Sequence, residues 1–344
     1  MAGSSLARSP VDDLKRIAFL LEKALEPSYR VKAFRRAAAV VGAMPEEELD
    51  ERLRRGTLQQ VSGIGRVTAT VIAESRAGEE PVYLRRLVAA GGRPVADTGR
   101  ELRAALRGDC HTHSDWSDGG SPIEEMAAAA IDLGHEYIVL TDHSPRLTVA
   151  RGLSPQRLRE QLQVVSSLNE KLAPFRILTG IEVDILEDGG LDQEDELLAE
   201  LDVVVASVHS LLRMPRDEMT ERMVTAIANP HMDVLGHCTG RIVVGRGRPE
   251  SEFDPRVVFE ACRQYEVAVE VNSRPERLDP PKRLLRLAIE AGCRLAIDTD
   301  AHAPGQLDWQ LLGCERAAAC GAPAHAVINT RGAAELLEWA ESKA

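Results

Sequence analysis

No stretch of these 344 residues approaches the ~18 consecutive apolar residues that a membrane span needs. The opening, MAGSSLARSPVDDLKR, has no apolar core of the kind that directs secretion, so the expected location is cytoplasmic. The six cysteines (110, 238, 262, 293, 314 and 320) form no CxxC pair, and a chain of this length needs no stapling. They are read as reduced thiols, in keeping with the cytoplasm. Low-complexity segments and internal repeats are also missing. What is present is a globular composition, 44% hydrophobic and 28% charged, with a length that suits two domains.

The net charge of −12 argues against a simple nucleic-acid binder, but it is unevenly divided. Residues 1–100 hold 17 Lys+Arg against 13 Asp+Glu, a balance of +4, and the remainder holds 25 against 41, a balance of −16. Such asymmetry points either to two segments with separate jobs or simply to an Arg-rich helical surface.

From Val11 to Arg55 the apolar spacing is helical. Leu14, Ile17, Ala18, Leu21 and Leu25 share one face, as do Val31, Phe34, Ala38 and Val41 after Pro27, and PEEELDERLRRG forms a further short helix. The Gly/Pro-rich segment around 90–98 reads as a linker. After Arg107 the texture changes to β-α alternation. Apolar runs at 137–143, 176–185, 201–210, 232–238, 267–273 and 293–302 are separated by helical stretches such as 122–134, 155–172, 255–265 and 281–291. Alternation of this kind predicts parallel strands with crossover helices. Six or seven units in about 235 residues suit a closed barrel better than an open sheet.

The strand-like runs end in His, Asp or Glu. His111 and His113 stand two apart in DCHTHSDWSDG, a spacing that puts both rings on one side of a strand, and Asp118 follows in the turn. Asp142 and His143 end one run, Glu182 lies in GIEVD, His209 in VVVASVHS, and His237 in VLGHC. Asp300 and His302 repeat the two-residue spacing in AIDTDAH. In barrel enzymes catalytic groups gather at the C-terminal ends of the strands. Nine candidate ligands, including six of the nine histidines, exceed what one ion can use, so two or three divalent ions are implied. Mixed imidazole and carboxylate ligation favours Zn²⁺, Mn²⁺ or Fe²⁺, and clustered ions of this type suit phosphoester hydrolysis. Cys110 and Cys238 are read as packing residues.

These motifs resemble those of the PHP (polymerase and histidinol phosphatase) metallophosphoesterases. The resemblance covers about residues 107–340 and implies a distorted (β/α)7 barrel with a trinuclear site. It implies one ion held by His111, His113, Glu182 and Asp300, with Glu182 bridging to a second held by His209 and His237. Asp118, His143 and His302 would hold the third, and Asp109 and Asp142 would orient ligand histidines. Cys110 stands where an aliphatic residue is usual. Arg241, Arg274 and Arg277 follow strand ends and are the candidate phosphate grips, although each alone could equally sit on a solvated loop. With Glu182 and Asp300 they form the expected catalytic set.

The N-terminal segment carries a second signal, LQQVSGIGRVTATVIAE at 58–74. A Gly-Ile-Gly turn before a helix leaves main-chain N–H groups free for a phosphate. It accompanies the basic helix YRVKAFRRAA. Together they resemble the helix-hairpin-helix domain of family X DNA polymerases, whose bacterial members also carry a C-terminal PHP domain; GLSPQRL and EVNSRPERLD are similar to that branch. The resemblance implies DNA contacts by Arg30, Lys32, Arg35, Arg36, Gly63, Gly65 and Arg66. Only about 20 residues separate the two recognisable parts, which leaves no room for a polymerase palm, and RVTATVIAE has no lysine for a Schiff-base lyase.

The expected organisation is therefore a helical helix-hairpin-helix domain over 1–90, a linker over 91–106 and a PHP barrel over 107–344. The expected function is a metal-dependent phosphoesterase acting on DNA ends, gaps or nicks as a 3′→5′ exonuclease or 3′-phosphatase, working as a monomer. The alternative is a small-molecule phosphatase such as a histidinol phosphatase. A non-catalytic DNA-binding scaffold is disfavoured, because every ligand position is filled.

Overall fold

A computed structural model describes residues 8–91 and 97–343. The chain divides into two compact units, Met1–Pro94 and Val95–Ala344. The first seven residues expected in the helical domain, and 92–96 of the expected linker, lie outside the described residues.

The first unit is helical: α1 (Pro10–Lys23), α2 (Ser28–Gly42), α3 (Glu46–Arg55), α4 (Arg66–Arg76) and α5 (Val82–Ala90). Local chemistry sets these boundaries. The Ser9 hydroxyl accepts from Asp12 N and Pro10 opens α1, so donors that the helix leaves unpaired are met or absent. In α3, Glu46, Glu47 and Glu48 stand in the first turn and Arg52, Arg54 and Arg55 in the last, matching the helix dipole, and Gly56 ends it in the left-handed region. The apolar faces meet in one core built from Leu14, Ile17 and Leu21 of α1, Phe34 and Val41 of α2, and Val71 and Ile72 of α4.

The second unit begins with a helix where a linker is expected. In α6 (Asp97–Ala105), Leu102 turns into the same core as the barrel helices, and Leu106 follows it there. The Gly/Pro punctuation stops at Pro94, and the four-residue spacing of these leucines makes the rest amphipathic. Gly99 lets α6 lie against a later helix, since a Cβ there would stand 2.8 Å from Glu315 Cγ.

Seven parallel strands follow in sequence order: β1 (Gly108–Thr112), β2 (Tyr137–Leu140), β3 (Arg176–Asp184), β4 (Val203–Ser207), β5 (Val234–Leu235), β6 (Ala268–Asn272) and β7 (Leu295–Asp298). Between them lie α7 (Ile123–Asp132), α8 (Pro155–Leu172), the single turn α9 (Asp195–Leu198), α10 (Arg216–Ile227), α11 (Pro255–Gln264) and α12 (Lys282–Glu290). Two more helices follow the last strand, α13 (Gln310–Ala319) and α14 (Ala333–Glu341).

Closure between β1 and β7 rests largely on side chains. Among the described residues, one isolated bridge joins Thr112 to Ala301, with His113 N donating to Ala301 O at 2.8 Å. The Asp298 carboxylate accepts from Cys110 N at 2.8 Å, and Asp109 accepts from Thr299 Oγ1 at 2.6 Å.

Strand alternation stacks two chemistries inside this ring. Leu178, Val203, Val205, Ala268 and Ala296 form an apolar layer with Cys110 and Tyr137, backed by Leu336 and Trp339 of α14. Two or four residues further along the same strand faces come Glu182, His209, Glu270 and Asp300. β1 departs from the rule: Cys110 joins the apolar layer and its opposite-parity neighbours His111 and His113 join the polar one, where the pairing with β2 shifts register between Asp109 and Thr112. No helix among the described residues is long and apolar enough to cross a membrane.

Candidate metal centre

Glu182 is the hub. Its Oε2 lies 3.2 Å from His111 Nε2, 3.5 Å from His113 Nε2 and 3.0 Å from His143 Nδ1. Its Oε1 lies 3.3 Å from His209 Nε2 and 3.1 Å from His237 Nε2. Asp300 forms a second focus, with Oδ1 3.4 Å from His113 Nε2 and 3.5 Å from His302 Nδ1. Its φ of 53° places a non-glycine residue in the left-handed region, a strain of the kind that gathers at functional sites. Asp118 completes the set, 3.5 Å from His143 Nε2 and 3.3 Å from His302 Nε2. The structure thus brings all nine candidate ligands together at the strand C-terminal ends. The loop bearing Asp118 is held from outside, because Arg151 donates to Ser117 O at 2.9 Å and Arg157 to Trp116 O.

Three subsets place ligand atoms within 4.8 Å of one another: His111, His113 and Glu182; His143, Glu182 and His209; and His113, Asp118, His143 and His302. Glu182 belongs to two of them. A divalent ion fits this cluster on the polar atoms left over. Glu182 Oε2, His111 Nε2, both ring nitrogens of His113, His143 Nδ1 and His237 Nδ1 are buried with no hydrogen-bond partner. Buried polar atoms without partners are costly, and four of these, Glu182 Oε2 with His111 Nε2, His113 Nε2 and His143 Nδ1, meet within 3.5 Å of that oxygen.

The charges are coupled. Burial pushes the Glu182 carboxyl up, but His111, His209 and His143 outweigh it and hold it well below the usual range. Burial likewise opposes ionisation of Asp300, and His113 at 3.4 Å, with the charges of His111 and Arg274, holds it low as well. Burial disfavours protonated His209, yet Glu182 and Asp184 hold its pKa up at about 9. For His113, burial and then the neighbouring His302 and His143 act together to push it well down.

The carboxylates that orient the histidines differ from those expected. Asp109 accepts from Thr299 and from His111 N, and Asp142 from Ser114, Ser117 and Gln161; neither bonds an imidazole. Those roles fall to Glu270, 2.7 Å from His111 Nδ1, and to Asp184, which bonds His209 Nδ1. Both were legible in principle, since Asp184 shares the strand face of Glu182, and Glu270 is an acid inside the apolar run VAVEVNS.

The arginines separate into two kinds. Arg274 and Arg277 line a cavity of about 340 Å³ with Glu182, Asp300, His143, His209, His237 and His302. Arg277 Nε lies 3.3 Å from Asp300 Oδ2, and its buried Nη1 has no partner. Arg274 Nη1 donates to Asp300 O at 3.0 Å. Arg241 is a correction to the expected phosphate grip: it does not line the cavity, and its guanidinium donates to the carbonyls of Arg277 and Leu278. It braces the loop that presents Arg277.

The helical unit sorts its expected DNA contacts in the same way. Lys32, Arg36 and Arg66 are exposed. Arg36 lies across the turn, its Nε 2.8 Å from where a Cβ on Gly63 would stand, and its Nη2 donates to Ser62 Oγ at 3.2 Å. Three of the expected contacts already have partners within the unit. Arg35 makes a two-pronged ion pair with buried Glu22 at 2.7 and 2.9 Å, Arg30 is held by Glu26 and Tyr83, and Gly65 N donates to Thr68 Oγ1 at 2.9 Å.

A parallel barrel with buried imidazoles and carboxylates converging at the strand ends defines a metal-dependent hydrolase. The chain belongs to the PHP family: residues 109–274 match the PHP domain, and residues 8–79 match a helix-hairpin-helix domain. It is 42% identical over 226 residues to the DNA polymerase/3′-5′ exonuclease PolX of Bacillus subtilis (strain 168), an alignment covering 66% of this chain and 39% of that one. This chain thus spans well under half the length of that relative. A probable phosphatase of Thermoanaerobacter sp. (strain X514) is 32% identical over 205 residues, covering 56% of this chain and 78% of that one. Among solved structures, the histidinol phosphate phosphatase of Lactococcus lactis subsp. lactis Il1403 aligns with a TM-score of 0.45 and 19% identity, covering 63% of this chain and 94% of that chain.

Proposed function

We propose that this protein hydrolyses phosphoesters at DNA ends, gaps or nicks, as a 3′→5′ exonuclease or 3′-phosphatase, with no polymerisation step. The observation that carries the reading is the presence in one chain of a phosphoesterase barrel and a helix-hairpin-helix unit that exposes Lys32, Arg36 and Arg66. A small phosphoester needs no such unit, whereas a DNA backbone is held by cations of this kind irrespective of sequence.

His111, His113, Asp118, His143, Glu182, His209, His237, Asp300 and His302 would hold two or three ions, with Zn²⁺, Mn²⁺ and Fe²⁺ suiting the donor set. Bound ions of this type supply Lewis acidity, lowering the pKa of water and neutralising phosphate charge. Glu270 and Asp184 fix the rings of His111 and His209, so that each offers its Nε2 to the centre. Arg277, with a free Nη1, and Arg274 beside it line the cavity and would bind oxygens of the phosphoryl group. Arg241 keeps Arg277 in place.

The deciding experiment offers 3′-labelled duplex and gapped DNA, and separately histidinol phosphate, to purified protein reloaded with Zn²⁺ or Mn²⁺ after chelation. Release of nucleotides or phosphate from the 3′ end, abolished by chelator, is the expected result. Turnover of histidinol phosphate alone overturns the DNA-end reading in favour of a small-molecule phosphatase.

A further inference from the structure

The barrel mouth is unusually apolar for a site built of charges. Among the described residues of the second unit, the most exposed large apolar side chains include Val149 (90%), Leu211 (51%), Val243 (49%) and Val244 (47%). They sit on the loops that follow β2, β4 and β5, and Leu147, Ile242 and Val244 line the ionic cavity itself. A phosphatase of small polar esters gains nothing from valines displayed to water beside its metal ligands.

Residues Ile242–Arg248 form a small hairpin. Ile242 and Arg248 exchange main-chain bonds at 3.0 and 2.8 Å, and Gly247 N donates to Val244 O at 2.9 Å to close the turn. Gly245 and Gly247 have φ of 62° and 64°, a region in which side chains are strained. Val243 N donates to Glu276 O at 2.7 Å, tying the hairpin to the segment that carries Arg274 and Arg277. Apolar tip and phosphate-facing cations therefore keep a fixed spacing. Arg246 is exposed at the turn.

We propose that this hairpin reads the nucleoside of the phosphoester. Ile242 and Val244, with Leu147, offer apolar contact to the sugar and base of the nucleotide whose phosphate faces Arg277, and Arg246 meets the phosphate of the next nucleotide. The inference rests on the DNA-end reading and names the chemistry that reading selects at this mouth. The hairpin sets the apolar pair Val243 and Val244 beside one exposed cation, Arg246, while Arg248 is turned to Gly240 O, an arrangement that suits a nucleoside next to a phosphate. A lipid chain would require an unbroken apolar strip instead.

The test uses the full chain stripped of metal and a fluorescent probe, 2-aminopurine deoxyriboside 3′-monophosphate, titrated into wild type and into Val243→Ser/Val244→Ser. The double variant is expected to bind at least about tenfold more weakly, the scale of lost apolar contacts in a binding site. Val244→Ile should retain the affinity, and thermal melting shows that the barrel is intact. In the reloaded enzymes, the ratio of kcat/KM for a deoxynucleoside 3′-monophosphate over that for glycerol phosphate should fall by a similar factor in the double variant. The inference is overturned if wild type binds the probe no better than inorganic phosphate, or if the double variant binds it equally well. Valine-dependent flotation with phosphatidylcholine vesicles would assign the patch to lipid and overturn it too. If the probe result holds while 3′-labelled DNA stays intact, the hairpin reads a mononucleotide and only the DNA-end reading falls.

Discussion

Glu270 Oε1 lies 2.7 Å from His111 Nδ1, and the other oxygen of the same carboxylate accepts the main-chain N–H of His237. One acid on β6 thus fixes the ring of a candidate ligand on β1 and the backbone of another beyond β5. Glu270→Gln should weaken metal affinity by roughly 10–100-fold while leaving the nine candidate ligands in place. Competition against a chelator of known affinity checks this; unchanged affinity would remove Glu270 from the support of the centre.

Glu182 faces five imidazoles, more than any other candidate ligand. Its replacement should therefore do more harm than loss of a ligand at the edge. Glu182→Ala should lower metal content by more than one equivalent, and Asp118→Ala by no more than one. Elemental analysis of the purified variants distinguishes the two. Equal losses would mean that Glu182 bridges nothing.

His135 gives a pH prediction clear of the metal ligands. It is buried and accepts from Arg103 Nη2 at 2.9 Å, and burial together with the Arg103 charge pushes its pKa down to about 3. Because the folded value lies below the unfolded one, its contribution is full above the unfolded pKa of ~6.5 and is lost as pH falls towards 3. Stability should drop by about 2 kcal/mol between pH 7 and pH 5 from this group alone. His135→Gln, which keeps an acceptor for Arg103, should flatten that part of the curve in urea titrations of the metal-free chain. An unaltered pH slope in the variant would show that His135 protonates freely in the folded state.

On the helical unit, Arg36→Glu with Arg66→Glu should weaken DNA binding strongly at low salt, with the difference shrinking as salt rises. Thermal stability should hardly change, since both side chains are exposed. Arg35→Glu should instead lower the melting temperature, because it sets two carboxylates against each other at buried Glu22. Filter binding and calorimetry on the same proteins separate the two effects. If the exposed pair proves indifferent to DNA, the helical unit holds its partner elsewhere.

Much of the barrel was legible because its strands follow a simple physical rule. Apolar runs end in ionisable residues where the strands reach the charged mouth, so YIVLTDH or AIDTDAH gives both the strand and its candidate ligands. What escaped was decided by three-dimensional pairing. Whether Asp109 bonds an imidazole or a threonine depends on which strand lies across from it, and β7 presents Thr299 there. Glu270 stood out as an acid inside a short apolar run, but nothing in that run says which ring it faces. Arg35 and Arg36 are neighbours with opposite fates because one helix position separates a buried acid from a solvated turn. The helix over 97–105 was masked by the Gly/Pro segment just before it.

The joint between β1 and β7 gives the site an uneven frame. Separating β3 from β4 would break a register of five residue pairs, whereas parting β1 from β7 would undo one bridge, the bonds of Asp109 and Asp298, and the clamps of Gln310 and Asn329, each of which donates to both Gly108 O and Ile297 O. His111 and His113 stand on one lip of that joint and Asp300 and His302 on the other. A seam closed by side chains therefore runs through the middle of the charged cluster, so the spacing between those two pairs of candidate ligands is set by side-chain bonds more than by a main-chain ladder. The ring is built like a clasp bracelet, with the jewel set across the clasp.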